Sequence, residues 1–208
     1  MKTTHLLCLI LGFSLVSCEK YGLFQATIGG TQSPMGEVDN TFSVTNVEGV
    51  SGSAARITEL DNGISTIAFS CSVTNPAYLE MADYIPGTVI SGNTVTGGGK
   101  AKITDKGIMN VYDEGNLILV EYSAKVGDKY TLKRGASTIT REVTAKSTED
   151  DYFWGWMMIK TITVEETGRG IPGVSKVVYE TNHKFGLVGI KVYFEDGTTK
   201  NVGIYSTN

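Results

Sequence analysis

Short alternating apolar runs, each closed by a glycine-centred turn, leave this chain little option but an antiparallel β fold. Asp61-Asn62-Gly63 precedes Ile64 to Val73, in which Ile67, Phe69, Cys71 and Val73 alternate with small or polar residues. Such period-2 patterning marks a strand with one buried face. Asn-Gly and Asp-Gly pairs mark hairpins because both central residues of a type I′ turn need positive φ. The signal recurs at Asp105-Lys106-Gly107 within Lys102 to Tyr112, and at Glu114-Gly115 before Leu117 to Tyr122. It appears again at Arg134-Gly135, between Tyr130 to Lys133 and Thr138 to Val143. The C-terminal part predicts a three-stranded meander. Lys176 to Thr181 comes first, then Val188, Ile190, Val192 and Phe194 on one face with Lys191, Tyr193 and Glu195 on the other, then Asp196-Gly197 and a last strand holding Val202 and Ile204.

One helix is expected, Pro76 to Tyr84. Asn75 can accept from its first free amides, Pro76 suits its first position and Pro86 forbids continuation. The expected fold is therefore all-β and mainly antiparallel, either a β-sandwich or a strongly curved, half-barrel sheet, with one short helix. Nothing in the chain alternates strands and helices as a parallel α/β fold does. At 208 residues and 41% hydrophobic content, one domain with a true core is expected. The net charge of −4, without a lysine or arginine run, gives no electrostatic footprint for nucleic acid.

The N-terminus carries an address. Lys2, the apolar-dominated run Leu6 to Val16 and the small residue Ser17 have the order of a signal peptide, and the run is shorter than the roughly 20 residues that span a bilayer. The quartet Leu15-Val16-Ser17-Cys18 resembles the lipobox of bacterial lipoproteins. That resemblance implies cleavage after residue 17, lipidation of Cys18 and attachment to a membrane through its acyl chains. Glu19 is not the aspartate that retains some lipoproteins in the inner membrane, so the outer membrane is expected, and either of its faces fits. The organisation expected is a signal peptide over 1–17, a lipidated N-terminus and tether over 18–40, and a single β-rich domain over 41–208. With Cys8 lost and Cys18 acylated, Cys71 has no intramolecular partner and reads as a small core hydrophobe. The leader, the polar tether and the phrases Val126 to Leu132 and His183 to Gly197 together resemble small lipoproteins of Gram-negative bacteria. Only the lipidated cysteine carries over from that resemblance as a functional residue.

Motifs for chemistry are sparse. Gly168, Gly170 and Gly173 spell a dinucleotide fingerprint, but Pro172 removes an amide and a β-type run follows, so a plain loop is expected. Gly97-Gly98-Gly99-Lys100 lacks the rest of a phosphate loop and reads as a flexible connector. No cofactor and no metal site are expected. After cleavage His183 is the single histidine, in a turn-like segment, and the adjacent acids Asp113-Glu114, Glu149-Asp150-Asp151 and Glu165-Glu166 read as solvated. A hydrolase built on two converging carboxyls or on Cys71 with His183 is the least favoured reading.

The remaining cluster is Glu149 to Met158, which holds both tryptophans. In an extended strand Tyr152, Trp154 and Trp156 share a face, and with Asp150 and Asp151 they form the candidate ligand surface, although large aromatics also fill β cores. The function expected is non-catalytic binding of a glycan or protein partner at the cell envelope, through an exposed aromatic strip over a packed interior. The alternative is a carrier or scavenger of an apolar, lipid-like ligand, resembling the open half-barrels of periplasmic lipoprotein carriers, and it requires a deep apolar cavity.

Overall fold

The computed structural model describes residues 26–207 apart from positions 46 and 86. Cys8, Cys18 and Pro86 lie outside those residues. The first half of the described chain runs β1 (Thr41–Val44), β2 (Val50–Asp61), β3 (Ile64–Val73), helix α1 (Pro76–Asp83), β4 (Val89–Ser91), β5 (Thr94–Thr104), β6 (Gly107–Tyr112) and β7 (Gly115–Glu121). The second half runs β8 (Lys129–Arg134), β9 (Ser137–Lys146), β10 (Tyr152–Trp154), β11 (Met157–Ile159), β12 (Ile162–Thr167), β13 (Val174–Asn182), β14 (Gly186–Phe194) and β15 (Thr199–Ser206).

Local chemistry explains most boundaries. Asn62 and Gly63 adopt φ of 50° and 76°, the pair of left-handed conformations that a two-residue hairpin requires. Asn75 caps α1, its Oδ1 accepting from the Ala77 amide at 3.0 Å, and Pro76 opens the helix as expected. Among the described residues, α1 is followed by no second α-helix.

All strands but β10 and β11 belong to one antiparallel sheet, in the order β7-β6-β5-β3-β2-β1-β15-β14-β13-β12-β9-β8, with β4 on β5. Right-handed twist accumulated over so many strands curls the sheet until its edges approach, giving a nearly closed barrel. Short β1 joins the halves: Phe42 pairs with Ala55 on β2 and with Ser206 on β15. Strands β7 and β8 flank the remaining seam. Side chains rather than a ladder span it there. On β9, Arg141 Nη1 donates to the Leu117 carbonyl of β7 at 3.2 Å and to Asn110 Oδ1 of β6 at 2.8 Å. Ile103, Ile108, Leu119, Val143, Ile162 and Val164 draw both halves into one core cluster. The expected C-terminal meander is present as β13-β14-β15.

Two sequence expectations are corrected. Gly97 to Gly99 are not a connector but lie inside β5, opposite Phe69, Ala68 and Ile67 of β3. A Cβ at Gly98 would clash with the Ile67 carbonyl oxygen, so glycine is required there for close strand approach rather than for flexibility. The tether expected over 18–40 is, from residue 26 onward, packed on the barrel. Ile28 and Met35 are buried, Gln32 bridges to Thr104, and Asn40 donates to the Met35 carbonyl at 2.8 Å. The short apolar runs there did not mark a packed segment, yet Ile28 and Met35 each fill a place in the barrel wall, while Val38 stays exposed.

Candidate functional site

The aromatic segment divides between two environments. Tyr152 and Trp154 lie on β10, which pairs only with β11, and Gly155 and Trp156 form the turn between them, with Gly155 at φ 60°. Trp154 and Trp156 therefore do not share a face, because the chain reverses between them. Trp154 is half-buried: its indole N–H donates to the Ile204 carbonyl at 2.8 Å, and its ring lies 4.6 Å from that of Phe185 and 5.4 Å from that of Tyr205. Tyr152 is half-buried too, whereas Asp150 and Asp151 are exposed and Asp151 accepts from the Ser147 hydroxyl at 2.7 Å. Trp156 is 98% exposed at the hairpin tip, with Phe153, Met157 and Met158 exposed around it. Replacing Trp154 with alanine should cost roughly 2 to 3 kcal/mol, less than a fully buried tryptophan, while Trp156→Ala should stay within about 0.5 kcal/mol. Urea unfolding of the two variants checks this, and equal destabilisation would contradict the division.

Cys71 packs beside Val73, Ala82 and Val95, and burial pushes its thiol pKa up, as suits an inert core residue. His183 sits in the exposed β13–β14 turn, edge-on to Tyr122. The structure does not gather these two residues into one site.

What it does gather lies inside the barrel. A cavity of about 550 Å³ opens between the inner faces of β13, β14 and β15 and the helix α1. Ile190, Val192 and Phe194 line it from β14, Val174 and Val177 from β13, and Val202 from β15. The alternation expected for β14 thus holds, but its apolar face borders a hollow rather than packed side chains, so these residues are only half-buried. Tyr78, Met81, Ala82 and Ile85 bring α1 and its C-terminal extension over one end.

An ionic cluster forms part of the wall. Arg141 and Glu166 are direct partners in the β9–β12 register, with side chains 2% and 0% exposed, and Arg141 Nε donates to Glu166 Oε2 at 2.7 Å. Beyond β12 the loop of Gly168, Gly170 and Gly173 runs at positive φ and turns Arg169 back onto the same carboxylate. Arg169 donates from Nε to Oε1 at 2.6 Å and from Nη2 to Oε2 at 2.8 Å, and Tyr179 donates its hydroxyl to Oε1 at 3.2 Å. Burial opposes the charge on Glu166. The hydrogen bond from Arg169, the attraction of both guanidiniums and the hydrogen bond from Arg141 outweigh it and hold the carboxyl below its ordinary range. Burial and the nearby carboxylate push the Tyr179 phenol up to about 12, so it remains a neutral donor.

No protein-family model, curated protein or solved structure matches the chain. The site therefore stands on its own geometry. Sequence reading missed Arg141 and Arg169 and took Glu166 for a solvated acid, which its buried carboxylate corrects, although a trace was present: Ile139-x-Arg141-x-Val143 and Ile162-x-Val164-x-Glu166 each place an ionisable residue in an otherwise apolar alternation. Opposite charges in two inward rows point to a buried pair.

Proposed function

We propose that this chain is a non-catalytic carrier that holds an apolar ligand inside its barrel, at the outer membrane, through acyl chains on Cys18. The cavity carries this reading. Its volume falls in the range of roughly 300 to 1,000 Å³ of small-molecule sites, and its walls are aliphatic and aromatic side chains with a few polar groups. Interiors otherwise pack to crystal-like density, so a hollow of this size bordered by valines and isoleucines is a feature that a ligand explains. The alternative of a glycan- or protein-binding strip required a fully packed interior and a row formed by Tyr152, Trp154 and Trp156. Trp154, half-buried against Tyr205 and Phe185 rather than in an exposed row, and the open interior favour the carrier.

Native mass spectrometry of the chain purified from its own host tests the proposal. The expected result is a small co-purifying mass that organic extraction removes, and re-uptake of one equivalent of the uncharged fluorophore N-phenyl-1-naphthylamine. Protein at its bare mass that takes up no fluorophore would sink it.

A further inference from the structure

The ionic cluster has an unequal charge count. Arg141 and Arg169 place two guanidiniums on the single carboxylate of Glu166, whose two oxygens already accept four hydrogen bonds. One positive charge is left over beside an apolar hollow. Both arginines line that hollow, as does Lys200, whereas no aspartate or glutamate does among the described residues. An excess charge next to hydrocarbon is costly unless something negative joins it. Arg141 is further committed to Asn110 and the Leu117 carbonyl, but Arg169 uses only Nε and Nη2 on Glu166 and is 17% exposed. It is the cation best placed to meet a ligand.

We infer that the occupant is a single-chain amphiphile with one negative charge, a long-chain carboxylate, whose head meets Arg169 beside Arg141 and whose tail lies along Val177, Val192, Phe194 and Val202. The inference rests on the carrier reading and names its ligand class. The ionic cluster keeps one positive charge in excess and Lys200 adds a further cation to the lining, so an anionic head is favoured, and the planar guanidinium fork fits carboxylate oxygens in pairs. Apart from Lys200 and the Tyr179 hydroxyl, which is held by Glu166, the lining residues of β13, β14 and β15 are apolar, and Met81 of α1 with Ile85 beyond it covers the end of the hollow.

The test compares palmitate, hexadecanol and hexadecylamine as displacers of N-phenyl-1-naphthylamine from delipidated protein, in the native chain and in Arg169→Gln. Glu166 keeps Arg141 in that variant, so the barrel should remain folded, which circular dichroism verifies. Palmitate should bind about tenfold or more tighter than hexadecanol, as a charge-assisted hydrogen bond warrants, and hexadecylamine weakest. Arg169→Gln should bring palmitate to within about threefold of hexadecanol and leave hexadecanol unchanged. Equal binding of acid and alcohol by the native chain, or an undiminished preference in the variant, overturns the assignment of the head while the carrier reading stands. Failure of the fluorophore and all three displacers to bind overturns the carrier reading itself. The native acid-to-alcohol ratio decides even if the variant misfolds, and Arg169→Lys, which keeps the charge, should keep part of the preference.

Discussion

Glu166→Gln lowers the melting temperature by roughly 10 °C, because it strands two buried guanidiniums at a cost of about 3 to 5 kcal/mol in a domain of this size. The substitution preserves shape, so the loss reports charge rather than packing. It is larger than the loss expected from removing either arginine, since Glu166 would then keep one cationic partner. The effect has a defined pH dependence. A carboxyl held below its ordinary value of 4.5 contributes stability that is fully present above that value and is lost as pH falls through the lower native one. Native and Glu166→Gln proteins should therefore differ most near neutrality and converge as the solution is acidified below 4.5. Thermal melts across that range measure it. A constant difference down to pH 2 would show that the ion pairs are not the source.

Val192→Trp abolishes uptake of the apolar fluorophore, weakening it by about 30-fold or more, with stability changed by less than about 1.5 kcal/mol. Val192 faces the hollow from the middle of β14 between Val177 and Lys200 in register. An indole there occupies space that the tail would use, and it suits a strand as well as valine does. Adding bulk to a packed core would strain it, whereas here the bulk enters free volume. Tyr193→Ala is the control, because Tyr193 lies on the other face of the strand, beneath the ammonium groups of Lys176 and Lys191. Its variant should bind as the native chain does. Fluorophore binding by Val192→Trp at native affinity would place the ligand elsewhere.

Much of the fold was legible because hairpin turns and alternation are local signals. Asn62-Gly63, the cap at Asn75 and the inward row of β14 could each be read from a few neighbouring residues. What escaped depended on distant partners. The role of Gly98 becomes plain only when the Ile67 carbonyl lies against it, and Ile28 and Met35 look like part of a polar tether until a barrel wall is there to receive them. The pairing of Arg141 with Glu166 is visible as two anomalies in two strands, but their register is set by the sheet. Most of the site was illegible for the same reason: a hollow is a property of how strands curve around it, and no local pattern distinguishes an inward valine that packs from one that faces open space.

The clasp made by β1 has a kinetic consequence. Thr41 meets Thr207 across 166 positions of chain, so the contact that joins the two halves of the barrel forms only after residue 207 has left the ribosome. Loop-closure entropy delays it further. Until then the inner valines are open to water on one side, and the hollow that they line is not yet walled off from solvent.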